Sequence, residues 1–185
     1  MFFLVDEVLD NVYSVAMILK FDGEHRFLSN FWPAQVVLDG ERYASVEAAY
    51  QAAKSLDAGF REAVRSCGED SKAVKALGKK MKWRDINDSM HSTRLRPCWD
   101  DEFKLKVMND LVRQKFSDPE LGGRLLATGD QELEEGNWWG DRFWGVCKGE
   151  GENHLGKILM AVREELKQVV FAHSINTVME MAGTR

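Results

Sequence analysis

The sequence predicts an α+β fold in which helices dominate, and three observations carry that reading. Apolar residues recur at helical spacing over several separate stretches, whereas the hairpin signal is a single Asp39-Gly40 pair. A chain of 185 residues, 44% hydrophobic, can bury one good core and has no need of a second. A single compact domain over residues 1–185 is therefore expected, helix-rich with a small β-hairpin or sheet component, and without internal repeats or linkers.

Taken in order, residues 12–21 alternate weakly and are rich in Val, Ile and Phe, as a strand would be. Residues 27–33 set aromatics around the polar pair Ser29 and Asn30 and end on Pro33, which predicts a buried loop. Asp39-Gly40, between residues 36–38 and 42–43, is the dipeptide favoured where both turn positions need positive φ, so a hairpin is expected there. Residues 45–54 predict an alanine-rich helix capped by Ser45, with Val46, Ala49, Tyr50 and Ala53 on its apolar face. Glu47, Gln51 and Lys54 fall together on another face, which is either a cleft wall or a solvated stripe. Short helices follow over 58–66 and 71–80, the second with Ser71 as its cap. Residues 85–97 are polar and aperiodic and predict a loop. Asp100 or Asp101 starts a helix running to Lys115, with Phe103, Val107 and Leu111 at four-residue steps on its buried side. Asp118-Pro119 signals another short helix. The last expected helix spans about 153–169 with a Leu155, Ile158, Leu159, Val162, Leu166 stripe, and the tail over 170–185 carries no assignment.

Bulk properties narrow the function classes. A net charge of −5 argues against a surface built to coat nucleic acid, although Lys72, Lys75, Lys79, Lys80, Lys82 and Arg84 follow one another without an intervening acid and suit phosphate locally. Three cysteines, far apart and odd in number, suggest no disulfide framework and a reducing compartment. The four histidines show no i, i+4 pair and no cysteine neighbour, so no metal site and no cofactor are expected. The amino end lacks a basic n-region and is interrupted by Asp6 and Glu7, which predicts a cytoplasmic protein without a membrane span.

The densest chemistry lies in residues 133–163. Glu134, Glu135 and Asp141, the tryptophans Trp138, Trp139 and Trp144, and a glycine-rich loop opening a helix stand within a few turns of chain. Carboxyls move protons, indoles stack on planar rings, and a helix start with free N–H groups receives an anion. Residues 151–157 nearly spell a phosphate-binding loop, but Ile158 replaces the hydroxyl residue, and helix capping by Asn153 explains much of the pattern, with a modest phosphate contact at the helix start. Each signal has a plainer reading: the tryptophans as core, Glu47 as a favourable charge in a helix's first turn, Asp141 as a turn residue.

Together, FLSNF (27–31), SVEAAYQAAK (45–54), the spaced Trp99, Val107, Met108, Leu111, Lys115 and Phe116, and LEEGNWWGDRFWG followed by GENHLGKILMAVR resemble the NADAR, or YbiA-like, family over about residues 21–166. The resemblance implies a compact helix-rich fold and hydrolysis of N-glycosidic bonds to ribose phosphates. The substrates it implies are ribosylamine-linked pyrimidine intermediates of riboflavin synthesis, or ADP-ribose on the amino group of guanine as nucleobase, nucleotide or nucleic acid. By motif, Glu47 matches the family's helix acid and Gln51 its amide, Trp99 the tryptophan before the central helix, Glu135 the acid of the L-x-E step, Asp141 and Trp144 the D-x-x-W-G, and Asn30 the FLSNF asparagine. Residues 85–94 form a longer connection than the family's, and Cys147 and Lys148 replace glycines after Trp144, changes that reshape the pocket rim.

Cleaving a ribosyl C–N bond builds an oxocarbenium-like centre, and carboxyls with separated pKa values divide the labour. The expectation is therefore Glu47 as general acid or base, with Asp141 or Glu135 stabilising the cation and orienting water. Trp99 and Trp144 would stack on the base or wall off the site, Asn30 and Gln51 hold hydroxyls or base edges, and Lys54 with the basic run receive phosphate. The alternatives are a non-catalytic module binding ADP-ribose or a related nucleotide, and a nucleic-acid-binding protein led by the basic run.

Overall fold

The computed structural model describes residues 16–83 and 95–183. A short strand β1 (Met17–Ile18) leads to a 3-10 helix (Gly23–Leu28), strands β2 (Val36–Leu38) and β3 (Glu41–Tyr43), and helices α1 (Val46–Ala53), α2 (Ala58–Ser66) and α3 (Ser71–Trp83). Then come α4 (Asp101–Phe116), α5 (Pro119–Leu126), strands β4 (Glu132–Leu133), β5 (Gly136–Asn137) and β6 (Val146–Cys147), and the long helix α6 (His154–Gly183). The fold is α+β and helix-rich. Its strands form separate two-stranded sheets, β1 parallel to β4, β2 antiparallel to β3, and β5 parallel to β6.

Local chemistry explains most boundaries. Asp39 and Gly40 both take positive φ, 50° and 83°, which closes the hairpin with Val36 opposite Tyr43 and Leu38 opposite Glu41. Ser45 Oγ accepts the Ala48 N–H at 3.1 Å and starts α1, and Asp57, Asp100 and Asp118 cap α2, α4 and α5 in the same way. At α3 the cap is Asp70 and not Ser71: its Oδ1 accepts the N–H groups of Lys72 and Ala73, both at 3.0 Å, and Ser71 lies inside the helix. A carboxylate there also complements the helix dipole.

Other expectations change. Of the strand anticipated over 12–21, Met17–Ile18 pairs, because its partner β4 is equally short; residues 12–15 lie outside the described residues. Residues 27 and 28, read as a loop, close a 3-10 helix that buries Phe27 and Leu28. Of the loop over 85–97, residues 85–94 lie outside the described residues. The last helix continues to Gly183 instead of ending near 169, since no glycine or proline occurs between Gly156 and Gly183.

Helix α1 is the centre of the core. Its residues are buried apart from Glu47, which is half-buried, and the alanines at 48, 49, 52 and 53 let α2, α3 and α4 approach closely. Met108, Leu111, Val112 and Phe116 of α4 and Leu155, Leu159 and Val162 of α6 complete the packing. Each such side chain contributes roughly 1.5–3 kcal/mol on burial. A helix enclosed on so many sides carries its polar face inward as well, and that is what places Glu47, Gln51 and Lys54.

Candidate active site

The polar face of α1 forms one wall. Gln51 Nε2 donates to Glu47 Oε1 at 2.7 Å, one turn back along the helix. The Glu47 N–H donates to the Asn30 carbonyl at 2.9 Å, which ties the FLSNF turn to the helix start. Burial raises the Glu47 carboxyl above its ordinary range; the Gln51 bond and the charges of Lys54 and Lys75 oppose the shift, and Asp141 adds to it. Lys54 is buried, with Nζ 5.4 Å from the Tyr50 ring centroid. Asn30 is buried too: Nδ2 reaches Met108 Sδ at 3.4 Å, while Oδ1 has no hydrogen-bond partner among the described residues.

The opposite wall comes from the loops around β4, β5 and β6. Asp141 Oδ1 accepts the Trp144 N–H at 2.9 Å and the Phe143 N–H at 3.2 Å, so the carboxyl is oriented by its own turn. Asn137 holds that turn from below, accepting the Asp141 N–H at 3.0 Å and donating to the Asp141 carbonyl at 2.6 Å. Glu135 is half-buried, and burial first, then the charges of Asp141 and Glu47, push its carboxyl up to about 8. Glu47 of α1 and two carboxyls from a single stretch some ninety residues later, Glu135 and Asp141, thus share one electrostatic field. Lys75 and Lys115 supply the balancing charge.

Lys115 is almost wholly buried, at 1% exposure, and donates from Nζ to the Ser29 carbonyl at 2.7 Å. Burial pulls its ammonium down to about 7, and Glu135 opposes that pull. Lys75 of α3 stands between two rings, its Nζ 5.2 Å from the Phe31 centroid and 5.1 Å from that of Trp139. Beside it opens a cleft of about 400 Å³ lined by Arg26, Ser29, Phe31, Ser71, Lys72 and Lys75 among others. A larger hollow of about 520 Å³ near Trp32, Gln114 and Lys115 includes none of the three carboxyls. The cleft beside Lys75 is not lined by those carboxyls either, but Lys75 ties it to two of them, its charge acting on both Glu47 and Glu135.

Aromatic rings back the α1 wall. Tyr50 sits 5.5 Å from Trp99 and 5.4 Å from Trp144, Trp99 packs on Phe103, and Trp144 on Phe143. Burial raises the Tyr50 phenol above its ordinary value, opposed by a hydrogen bond with Trp144. The tryptophans do not share one environment: Trp138 is 83% and Trp139 53% exposed, whereas Trp144 is half-buried. The core reading of Trp138 and Trp139 is therefore corrected.

Among the residues singled out from the sequence, Glu47, Gln51, Lys54, Glu135 and Asp141 converge electrostatically, and Asn30 and Trp144 adjoin them through direct contacts. Trp99 stands one ring further out, behind Tyr50. Asn153 does not cap α6 with its side chain as anticipated. Its φ is 51°, its Oδ1 accepts the Glu135 N–H at 3.1 Å, and its Nδ2 donates to the Leu133 carbonyl at 2.9 Å, so the amide is spent on positioning Glu135. Of the basic run, Lys72 and Lys75 line the cleft; the side chains of Lys80 and Lys82, and Arg84, lie outside the described residues. Sequence reasoning gave Lys115 no place in the site. The signal was present, because Lys115 continues the Phe103, Val107, Leu111 step onto the buried side of α4.

Comparison with known proteins is consistent across sequence and structure. A family model described as the NADAR domain matches residues 19–167. N-glycosidase YbiA of Escherichia coli strain K12 is 33% identical over 167 residues, which takes in 88% of this chain and 91% of the relative. An N-glycosidase of Nostoc punctiforme is 35% identical over 147 residues, 77% of this chain and 86% of that protein. A riboflavin biosynthesis protein of Vibrio vulnificus is 37% identical over 149 residues; this chain spans 37% of its length. The NMR structure of Escherichia coli YbiA matches with a TM-score of 0.69 at 30% identity, covering 89% of this chain and 92% of that one.

Proposed function

The chain belongs to the NADAR domain family, and from that premise we propose that its acid cluster hydrolyses the bond between a ribose phosphate and an amino group of a nucleobase-like ring. Its enzyme class is that of its relatives named N-glycosidases, an N-glycosyl hydrolase. The observation that carries the substrate reading is the juxtaposition of Glu47, Glu135 and Asp141 with a lysine-lined cleft. A bare anion site would not place three carboxyls beside its lysines.

In the reaction the C1′–N bond breaks, the leaving nitrogen takes a proton, and water adds to C1′. Glu135, held protonated near neutral pH by burial and by two neighbouring carboxyls, is the proton donor in this proposal. Glu47, whose ionised form is supported by the Gln51 amide, takes the proton from the attacking water. Asp141, oriented by two backbone N–H groups, faces the developing positive charge. Asn30 Oδ1, without a hydrogen-bond partner among the described residues, accepts a ribose hydroxyl, Trp144 flanks the base, and Lys72, Lys75 and Arg26 receive the phosphate. Both free ribosylamine phosphates and ADP-ribose linked to guanine satisfy this chemistry.

The test is release of sugar from the two substrate types by the purified chain, side by side with Glu47→Gln and Lys72→Ala. Glu47→Gln is expected to lose about 10²–10⁴-fold in turnover. Lys72→Ala should raise KM for phosphorylated substrates by roughly two- to fivefold and leave kcat nearly unchanged, as loss of one screened contact predicts. Tight binding of ADP-ribose with no turnover of either substrate would instead favour a non-catalytic module.

A further inference from the structure

Trp138 is the most exposed large apolar side chain among the described residues, at 83%, and Trp139 beside it is also exposed. Two neighbouring indoles in water forgo a large burial, and the reaction as assigned above uses neither. A slack loop does not account for them. Asn137 closes the turn that carries both rings: its Nδ2 donates to the Asp141 carbonyl at 2.6 Å and to the Val146 carbonyl at 3.2 Å, and its Oδ1 accepts the Asp141 N–H at 3.0 Å. Gly140 takes a φ of 88°, which lets the chain return within that short span, and Gly145 lies so close to the Glu135 carbonyl that a Cβ would overlap it. The rings are thus held outward from a turn anchored at both ends.

Their surroundings indicate the chemistry of a ligand. The indole planes stand 84° apart with centroids at 5.9 Å, so the pair makes a corner in which a planar ring can stack on one indole and meet the other edge-on. Lys75 joins this corner to the site. Its Nζ lies 5.1 Å from the Trp139 centroid and 5.2 Å from that of Phe31, and its charge acts on Glu47 and Glu135. Phe31 and Lys75 line the cleft together with Lys72 and Arg26. One cation therefore stands against the acids, the phosphate-receiving cleft and the indole corner at once.

In the reaction proposed above the acids face C1′, while Lys72, Lys75 and Arg26 receive the phosphate. A ring seated in the indole corner is then carried on that phosphate, and is distinct from the leaving base that Trp144 flanks. We propose that Trp138 and Trp139 form a subsite for a second nucleobase, joined through phosphate to the scissile ribose, and that the pair sets a preference for such substrates over a plain ribose phosphate. The inference rests on the hydrolase reading of the acid cluster.

Calorimetric titration of the chain with ADP-ribose and with ribose 5-phosphate tests it, since these are the sugar phosphates that cleavage would leave with and without the second ring. The parent should bind ADP-ribose at least about tenfold more tightly, as stacking of one base on an indole predicts. That ratio should fall about tenfold in Trp138→Ala/Trp139→Ala and no more than about threefold in Trp138→Phe/Trp139→Phe, because a phenyl ring still stacks. A ratio unchanged in the alanine pair would overturn the proposal. An equal fall in affinity for both probes would overturn it too, by placing the indoles at the phosphate and not at a ring. Indole-dependent binding of a single-stranded oligonucleotide without indole-dependent binding of ADP-ribose would do the same, in favour of a nucleic-acid strand on this corner. Sugar release is read separately: cleavage without an indole-dependent ratio removes the subsite alone, whereas an indole-dependent ratio without cleavage of either substrate type keeps the subsite and removes the hydrolase reading.

Discussion

Gln51 is held between the residue it serves and a residue that makes room for it. Its Nε2 donates to Glu47 Oε1 at 2.7 Å, and its Oε1 lies against Gly78 of α3, where an added Cβ would overlap the carboxamide. The displaced atoms would be the far end of a side chain and not backbone, so Gly78→Ala can be accommodated, but only by moving Gln51.

The expected consequence is a separation of activity from stability. Gly78→Ala should shift the midpoint of thermal unfolding by only a few degrees, helped by the higher helix propensity of alanine. Turnover should fall about as far as in Gln51→Ala, of the order of tenfold, because both leave Glu47 without its amide donor. Steady-state kinetics and a melt on both variants check it. Full activity in Gly78→Ala would mean that the amide does not position Glu47.

The buried charges predict a pH dependence of stability with two opposed arms. Glu135 titrates near 8 in the folded chain against an ordinary value near 4.5, so the folded state binds that proton more tightly. Its contribution is present at acid pH and is lost as pH rises from about 4.5 through 8. Lys115 titrates near 7 against an ordinary 10.5, so the folded state releases its proton early and stability recovers from about 7 upward. Urea unfolding at pH 5, 7, 8 and 9 should show the parent losing stability from pH 5 to 7, levelling between 7 and 8 where the two arms oppose, and recovering by 9, and Glu135→Gln should remove at least about 1 kcal/mol of the loss. A parallel pH curve for the variant would show that Glu135 is not raised.

Much of this was legible in the sequence for identifiable reasons. Capping residues announce themselves because an aspartate or serine satisfies N–H groups two or three positions away, and Ser45, Asp100 and Asp118 do that here. The hairpin followed from the positive φ that Asp39 and Gly40 tolerate. The strand at Met17–Ile18 fell within the stretch expected to be extended, but its length and its partner Glu132–Leu133 were not legible, since both are set only when the fold brings them together. The grouping of Glu47, Gln51 and Lys54 was legible as a helical face, but its inward direction depended on α2, α3 and α4 enclosing α1. Lys115 was concealed by its residue type: a lysine on an apolar stripe reads as a solvated end until the Ser29 carbonyl is seen to receive it.

The role of Asn153 gives the last prediction. At φ 51° it occupies a conformation that asparagine and glycine adopt readily and alanine does not, and its amide bridges the Leu133 carbonyl and the Glu135 N–H. Asn153→Ala loses both bonds and adds backbone strain, for roughly 2–4 kcal/mol. Asn153→Gly loses the bonds without the strain and should retain about 1–2 kcal/mol of that difference. In both variants the segment carrying Glu135 is free to shift relative to Glu47 and Asp141, and a displacement of about 1 Å at such a site can cost as much as 10²-fold in rate. Denaturant melts should therefore rank parent above Asn153→Gly above Asn153→Ala, while kcat falls comparably in the two variants. Parental kcat in Asn153→Gly would reduce Asn153 to a stabilising residue and leave the placement of Glu135 to the β5 and β6 pairing alone.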